Sequence, residues 1–197
     1  MTGWLIQVTG PSGVGKDTLL DGARRALAAE PNLRFVRRVI TRAADAGGED
    51  HEPIDEAAFA ARAADGGFFA CWQAHGLGYG VPLAVAAWLA AGQTVVLNGS
   101  RAAAPAIAAR CPRTVLIAIE APEAVLEARL AARGREDAEA IRQRRARAVP
   151  PPPEGIERHV IVNDTTVDAG IDRLTALIRA IAARTDVGRA AGAEAPA

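Results

Sequence analysis

Residues 4–20 read WLIQVTGPSGVGKDTLL, and this stretch decides the fold. Residues 4–9 form a short apolar run suited to a buried strand. A glycine-rich turn follows, and from residue 16 to 29 apolar side chains recur at helical spacing (Leu19, Leu20, Ala23, Leu27). Gly10, Pro11, Ser12, Gly13, Val14, Gly15 and Lys16 fit G-x-x-x-x-G-K between a strand and a helix, the context a phosphate-binding loop requires. The glycines let backbone N–H groups turn inward around phosphate oxygens. The helix N-terminus adds its positive end, and Lys16 supplies a mobile point charge.

One position departs from that motif. A Ser or Thr is expected after the lysine, to reach Mg2+ through its hydroxyl. Here Asp17 takes the place and Thr18 follows. An acidic residue in a first helical turn suits the helix dipole. An anion beside a triphosphate is costly unless a cation lies between them, which makes Asp17 a metal ligand candidate, with Thr18 as the other. Lys16 is also the one lysine among 23 basic residues, the rest being Arg, as if a guanidinium did not fit there.

Working outward, residues 33–41 read as a second strand and 43–53 as a polar loop. Residues 54–64 read as a helix and 66–82 as short strands and turns. Helices are expected at 83–91, closed by Gly92, and at 102–109, 122–132, 137–148 and 167–183. Strands are expected at 94–97, 114–119 and 159–162, and residues 186–197 read as a disordered tail. Strands alternating with helices predict an α/β fold with three layers, a parallel central sheet covered on both faces. Ligands in such sheets bind at the carboxyl ends of the strands, and the first such end is the glycine-rich turn.

Composition narrows the function classes. At 197 residues the chain suits one domain, and 50% hydrophobic with 23% charged residues marks it as globular. Lys+Arg and Asp+Glu balance at 23 each, so no bulk charge draws it to nucleic acid or to an anionic membrane. Cys71 and Cys111 make no disulfide framework. The N-terminus lacks a basic region with a long apolar run, and the apolar stretch at 83–91 is about half of a membrane span, so a cytoplasmic location is expected. No His/Cys spacing supports zinc.

Beyond the phosphate loop, the chain resembles the guanylate kinase family of P-loop kinases over roughly residues 4 to 183. Ile40-Thr41-Arg42 is similar to that family's Thr-Arg step at the acceptor phosphate, and Gly78-Tyr79-Gly80 to its tyrosine-bearing turn. Arg129, Arg133 and Arg144 resemble its lid arginines, and Asn163 lies where the family packs beside the donor base. The arginine-rich run from 129 to 147 agrees independently, because planar guanidinium forks suit polyphosphate. The resemblance implies one kinase domain over 1–185, with an acceptor-binding insertion at about 35–82 and a lid at about 129–148. It implies ATP and Mg2+ as cosubstrate and cofactor, and leaves the oligomeric state open, a homodimer included.

The departures fall where the acceptor is read. The family's guanine-pairing Glu falls near Ala70 and Cys71, the hydroxyl after the turn is Val81, and its acidic step after the central strand is Asn98-Gly99-Ser100-Arg101. A site that lacks the partner for a purine edge discriminates poorly in its favour. Together with Gly15-Lys16-Asp17 and Trp72-Gln73-Ala74-His75-Gly76-Leu77, these runs resemble a sugar-phosphate branch of the family, which serves phosphonate breakdown. That branch phosphorylates ribose 1,5-bisphosphate to 5-phosphoribosyl 1-diphosphate. The resemblance then implies Lys16, Arg133 and Arg144 as catalytic residues, and Arg42, His75, Tyr79, Asn98, Ser100 and Arg101 as acceptor ligands. A guanylate kinase proper, or an inactive protein-binding module, are the alternatives. His51, Glu49 and Asp50 lie in a polar loop and read as solvated, and His159 as structural.

Overall fold

The computed structural model describes residues 3–11, 13–45, 48–126, 129 and 155–193, with side chains as far as 184. In chain order the strands are β1 (Leu5–Thr9), β2 (Leu33–Phe35), β3 (Arg38–Ile40), β4 (His51–Pro53), β5 (Phe68–Ala74), β6 (Leu77–Pro82), β7 (Thr94–Asn98), β8 (Thr114–Glu120) and β9 (Glu157–Val162). The helices are α1 (Lys16–Ala26), α2 (Glu56–Ala64), α3 (Ala84–Ala90), α4 (Ala104–Ala108) and α5 (Val167–Ala193).

The central sheet has the order β2-β7-β1-β8-β9 with every pair parallel, so β1 lies in its middle. Parallel strands are covered on both faces, which is why β1 and β7 are buried along their whole length, their polar members Gln7, Thr9, Thr94 and Asn98 included. Ile6, Val8, Val96, Val115 and Ile117 point to one face, packing on Leu19 and Ala23 of α1 and on Leu174, Ile178 and Ile181 of α5. Leu5, Val95 and Leu97 point to the other, against Val85 and Leu89 of α3 and Ile107 of α4. Each fully buried Leu or Ile is worth about 1.5–3 kcal/mol over exposure. α1 and α5 approach closely at Gly22, where a Cβ would stand 2.3 Å from Ile171. Among the described residues, no helix is long and apolar enough to cross a membrane.

A second, four-stranded sheet has the order β4-β3-β6-β5. The segment 33–41, expected as one strand, is two. β2 pairs with β7, Val36 N donates to Val96 O at 2.9 Å, and the chain then leaves the central sheet to begin β3 in the second one. Strand-forming composition does not specify which sheet accepts a strand. The expected loop at 43–53 ends in β4, parallel to β3. Within it His51 is buried at 4% exposure rather than solvated. Its ring nitrogens lie 3.0 Å from Glu49 O and 3.1 Å from Arg42 O, so the loop closes around the imidazole.

β5 and β6 form a hairpin whose turn is His75-Gly76. Both residues have positive φ, 53° and 73°, the conformation that two-residue hairpin turns require. α5 runs to Ala193, whereas its end was expected near 183 with an unstructured tail from 186. No proline occurs between Val167 and Pro196, and extending a formed helix needs no new nucleus. Residues 194–197 lie outside the described residues, as do the helix expected at 137–148 and, apart from 122–126 and 129, the helix expected at 122–132.

Candidate active site

The loop after β1 is fixed from two sides. Gly13 and Gly15 adopt positive φ (81° and 88°), and a Cβ on Gly15 would stand 2.7 Å from Asn163 Nδ2. That nitrogen donates to Val14 O at 2.7 Å, and Arg129 Nη1 donates to the same carbonyl at 3.2 Å. Gly10 also has no room for a side chain, since a Cβ would lie 2.6 Å from Ile119 O. Val14 is buried and anchors the loop in the core, while Pro11 is half-buried. Ser12 lies outside the described residues.

Asn98, at the carboxyl end of β7, is the hub of the site and is 7% exposed. Its Oδ1 accepts from Lys16 Nζ at 2.6 Å, and its Nδ2 donates to Asp17 Oδ1 at 3.0 Å and to Glu49 Oε2. These partners fix the amide orientation, because a flip would set the carbonyl against two carboxylates. Lys16 Nζ also donates to Asp17 Oδ1 at 3.2 Å. Burial pushes the Asp17 carboxyl up, but the Lys16 charge and the hydrogen bonds from Lys16 and Asn98, with the Arg38 field, hold it below the usual carboxylate range. Asp17, Asp21, Arg24, Glu49 and Asn98 line one cleft. Thr18, one residue further round α1, is exposed and is not among the residues lining it.

Glu49 links this phosphate-loop end to the second sheet. Its Oε1 accepts from Arg38 Nε at 2.9 Å and Nη2 at 2.5 Å, and the two side chains keep only 11% and 9% of their exposure. Arg38 lies over the Tyr79 ring (4.8 Å to its centroid), and Tyr79 is stacked on Trp72 with centroids 5.6 Å apart and planes 7° from parallel. Burial raises the Tyr79 hydroxyl above its ordinary pKa, against the opposing fields of Arg38 and Arg42. Arg42 Nη2 reaches His51 Nδ1 at 3.2 Å and Glu49 O at 3.5 Å. Thr41 joins β3 to the glycine turn: its Oγ1 accepts from Gly78 N at 2.8 Å, and its N donates to Gly78 O at 3.1 Å.

The expected residues therefore separate into groups. Lys16, Asp17 and Asn98 are in mutual contact, and Arg42 and Tyr79 stand with them through Glu49 and Arg38. Ser100 is half-buried, and its carbonyl accepts from Ala104 N at 2.9 Å ahead of α4, while Arg101 is exposed beside it. His75 is at the exposed hairpin tip. Arg133 and Arg144 lie outside the described residues. Arg38 and Glu49 are the residues that sequence reasoning missed. A lone signal was available for Arg38: a charge inside an apolar strand must find a partner if that strand is buried.

No family model matches the chain. A bifunctional ribose 1,5-bisphosphokinase-thymidine phosphorylase of Azorhizobium caulinodans is 49% identical over 183 residues, 93% of this chain but 26% of that protein. The chain thus spans about a quarter of the length of the bifunctional relatives it matches. The ribose 1,5-bisphosphate phosphokinase PhnN of Burkholderia mallei is 46% identical over 179 residues, 90% of this chain and 96% of that one. The crystal structure of guanylate kinase from Anaplasma phagocytophilum matches with a TM-score of 0.66 at 22% identity, covering 91% of this chain and 86% of that one, which establishes the fold.

Proposed function

This chain belongs to the ribose 1,5-bisphosphate phosphokinase family, and we propose that it moves the γ-phosphoryl group of ATP onto the 1-phosphate of ribose 1,5-bisphosphate. The bond from the γ-phosphorus to the bridging oxygen of ADP breaks, and a bond from that phosphorus to a 1-phosphate oxygen forms. The products are ADP and 5-phosphoribosyl 1-diphosphate. The attacking oxygen is already anionic, so no protein base is required, and catalysis rests on positioning and charge neutralisation.

The loop from Gly10 to Lys16 is the ATP phosphate site in this reading, with Lys16 on the β- and γ-phosphates. Arg42 and Tyr79 of the second sheet hold the acceptor phosphates together with Arg101 and His75, and Asn98 and Ser100 hold ribose hydroxyls. Arg133 and Arg144 complete the charge neutralisation from the lid. The donor set suits Mg2+ at Asp17, which brings a hard carboxylate oxygen beside the lysine and keeps 49% of its side-chain exposure. Asp17 would hold the ion, which would supply neutralisation of the triphosphate charge.

The observation that carries the acceptor assignment is on β5. Where a guanine-reading carboxylate is expected, the strand presents Ala70 and Cys71, paired with Val81 and Gly80 of β6. The test is an ADP-release assay with Mg-ATP that offers ribose 1,5-bisphosphate and GMP in parallel, with the product identified by phosphorus NMR. Turnover of the sugar bisphosphate alone supports the assignment. Turnover of GMP alone overturns it, and absence of any ATP binding by calorimetry would point instead to an inactive module.

A further inference from the structure

We infer that Arg38 is a ligand of the acceptor phosphate and that Glu49 is the residue that positions it, an assignment that rests on the acceptor being a phosphate ester. Arg38 is the first residue of β3, where the chain has just left the central sheet, so its guanidinium stands at the junction of the two sheets. Three bonds in series connect it to the phosphate-loop lysine: Arg38 to Glu49, Glu49 to Asn98, and Asn98 to Lys16. The side chain is thereby placed between the lysine that grips the donor and Tyr79, the ring beneath its own plane.

The geometry is that of a prepared anion ligand. Arg carries five N–H groups in one plane. Glu49 takes one from Nε and one from Nη2 on a single carboxylate oxygen, and among the described residues the other three N–H groups have no hydrogen-bond partner. The Tyr79 and Trp72 stack fixes the tilt of the plane, and Glu49 fixes its rotation within that plane. A guanidinium held in this way loses little rotamer freedom when phosphate binds, and planar forks match phosphate oxygens in pairs. As a purely structural pair, Arg38 and Glu49 would be an expensive choice. Two charges are desolvated where apolar side chains would pack at least as well. Arg42 stands on the other side of Glu49, with its Nη2 on the Glu49 carbonyl, so the two guanidiniums flank one acidic residue. The Tyr79 hydroxyl feels both guanidiniums together with Glu49 and Asp17, so all of these groups converge on one place.

The test compares the full-length wild type with Arg38→Met, Arg38→Lys and Glu49→Gln. Steady-state kinetics are measured against each substrate, and ATP affinity by calorimetry. Arg38→Met is expected to raise the acceptor KM about 30- to 100-fold, the loss of a charge-assisted pair of bonds, while ATP affinity changes little. Arg38→Lys keeps the charge but not the fork, and is expected to raise the acceptor KM roughly tenfold. That variant decides the matter if the methionine variant does not fold. Glu49→Gln leaves Arg38 in place without its anchor, and is expected to lower kcat more than it raises the acceptor KM. An unchanged acceptor KM in Arg38→Lys, or equal losses of acceptor and ATP affinity, would overturn the assignment and return Arg38 to a structural role. If wild type accepts GMP and not the sugar bisphosphate, the proposed function fails, and the same Arg38 comparison is then read with GMP as the acceptor.

Discussion

Replacing Asn98 by Asp exchanges an amide for a nearly isosteric carboxylate at the hub of the site, and the structure sets the outcome. The wild-type Nδ2 donates to Asp17 Oδ1 at 3.0 Å and to Glu49 Oε2. In Asn98→Asp an oxygen takes its place and faces both carboxylates. At an effective dielectric near 20, unit charges 3.0 Å apart repel by about 5–6 kcal/mol. Glu49 adds a contribution at least as large, and Lys16 at 2.6 Å returns about 6 kcal/mol. One repulsion is left uncompensated. Asp17 is half exposed, and solvent screening reduces the net cost to about 2–3 kcal/mol.

The assay is urea unfolding of wild type, Asn98→Asp and Asn98→Ala across pH. The introduced carboxyl has a folded pKa above its unfolded value of about 3.9, so its ionisation opposes folding. Relative to wild type, the deficit of Asn98→Asp should be small below about pH 4 and grow as the pH rises through the raised folded value. Asn98→Ala loses hydrogen bonds without adding charge, and its deficit should be nearly flat in pH. A deficit for Asn98→Asp that is the same at both ends of this range, or below about 0.5 kcal/mol near neutrality, would refute the reasoning.

Three further outcomes follow from other contacts. In the proposed reaction Lys16→Ala should lower kcat about 100-fold or more, and because buried Asn98 Oδ1 loses its donor it should also cost about 1–3 kcal/mol of stability; steady-state kinetics with urea unfolding checks both. Gly22→Ala would gain about 1 kcal/mol on helix propensity alone. Its Cβ would meet Ile171 at 2.3–2.9 Å, so a net loss of about 1–3 kcal/mol is expected by chemical denaturation. Glu157 is held down to about 2 from 4.5 by the Arg184 hydrogen bonds first and the His159 hydrogen bond second. That stabilisation is present above pH 4.5 and is lost as the pH falls toward 2. Because the pair is exposed, Arg184→Met should cost well under about 1 kcal/mol near neutrality and nothing measurable in about 1 M salt.

The central sheet and its phosphate loop were legible in the sequence because both are local. A buried five-residue strand, glycines with positive φ and a helix beginning at the lysine are written within one short run of the chain. The same holds for most elements that follow, whose ends moved by only a residue or two. The partition of 33–41 between two sheets was not legible, since β-branched composition is the same for either partner. Nor was β4, because three residues that begin with a histidine carry no periodicity, and their pairing with β3 is decided by the loop that closes around His51.

Taken alone, the sequence determined the make-up of the phosphate-loop end: a glycine-rich loop, one lysine, and an aspartate where a hydroxyl is usual. Only the tertiary structure decided how the charges of the second sheet are paired. Asn98, Glu49 and Arg38 lie 49 and 11 residues apart along the chain, yet they form one continuous line of hydrogen bonds. Glu49 reads as loop and Arg38 as an oddity in a strand until the fold places them together. The physical reason is that a buried charge is stable only beside its partner, and the partner is supplied by how the two sheets meet rather than by any neighbour in sequence.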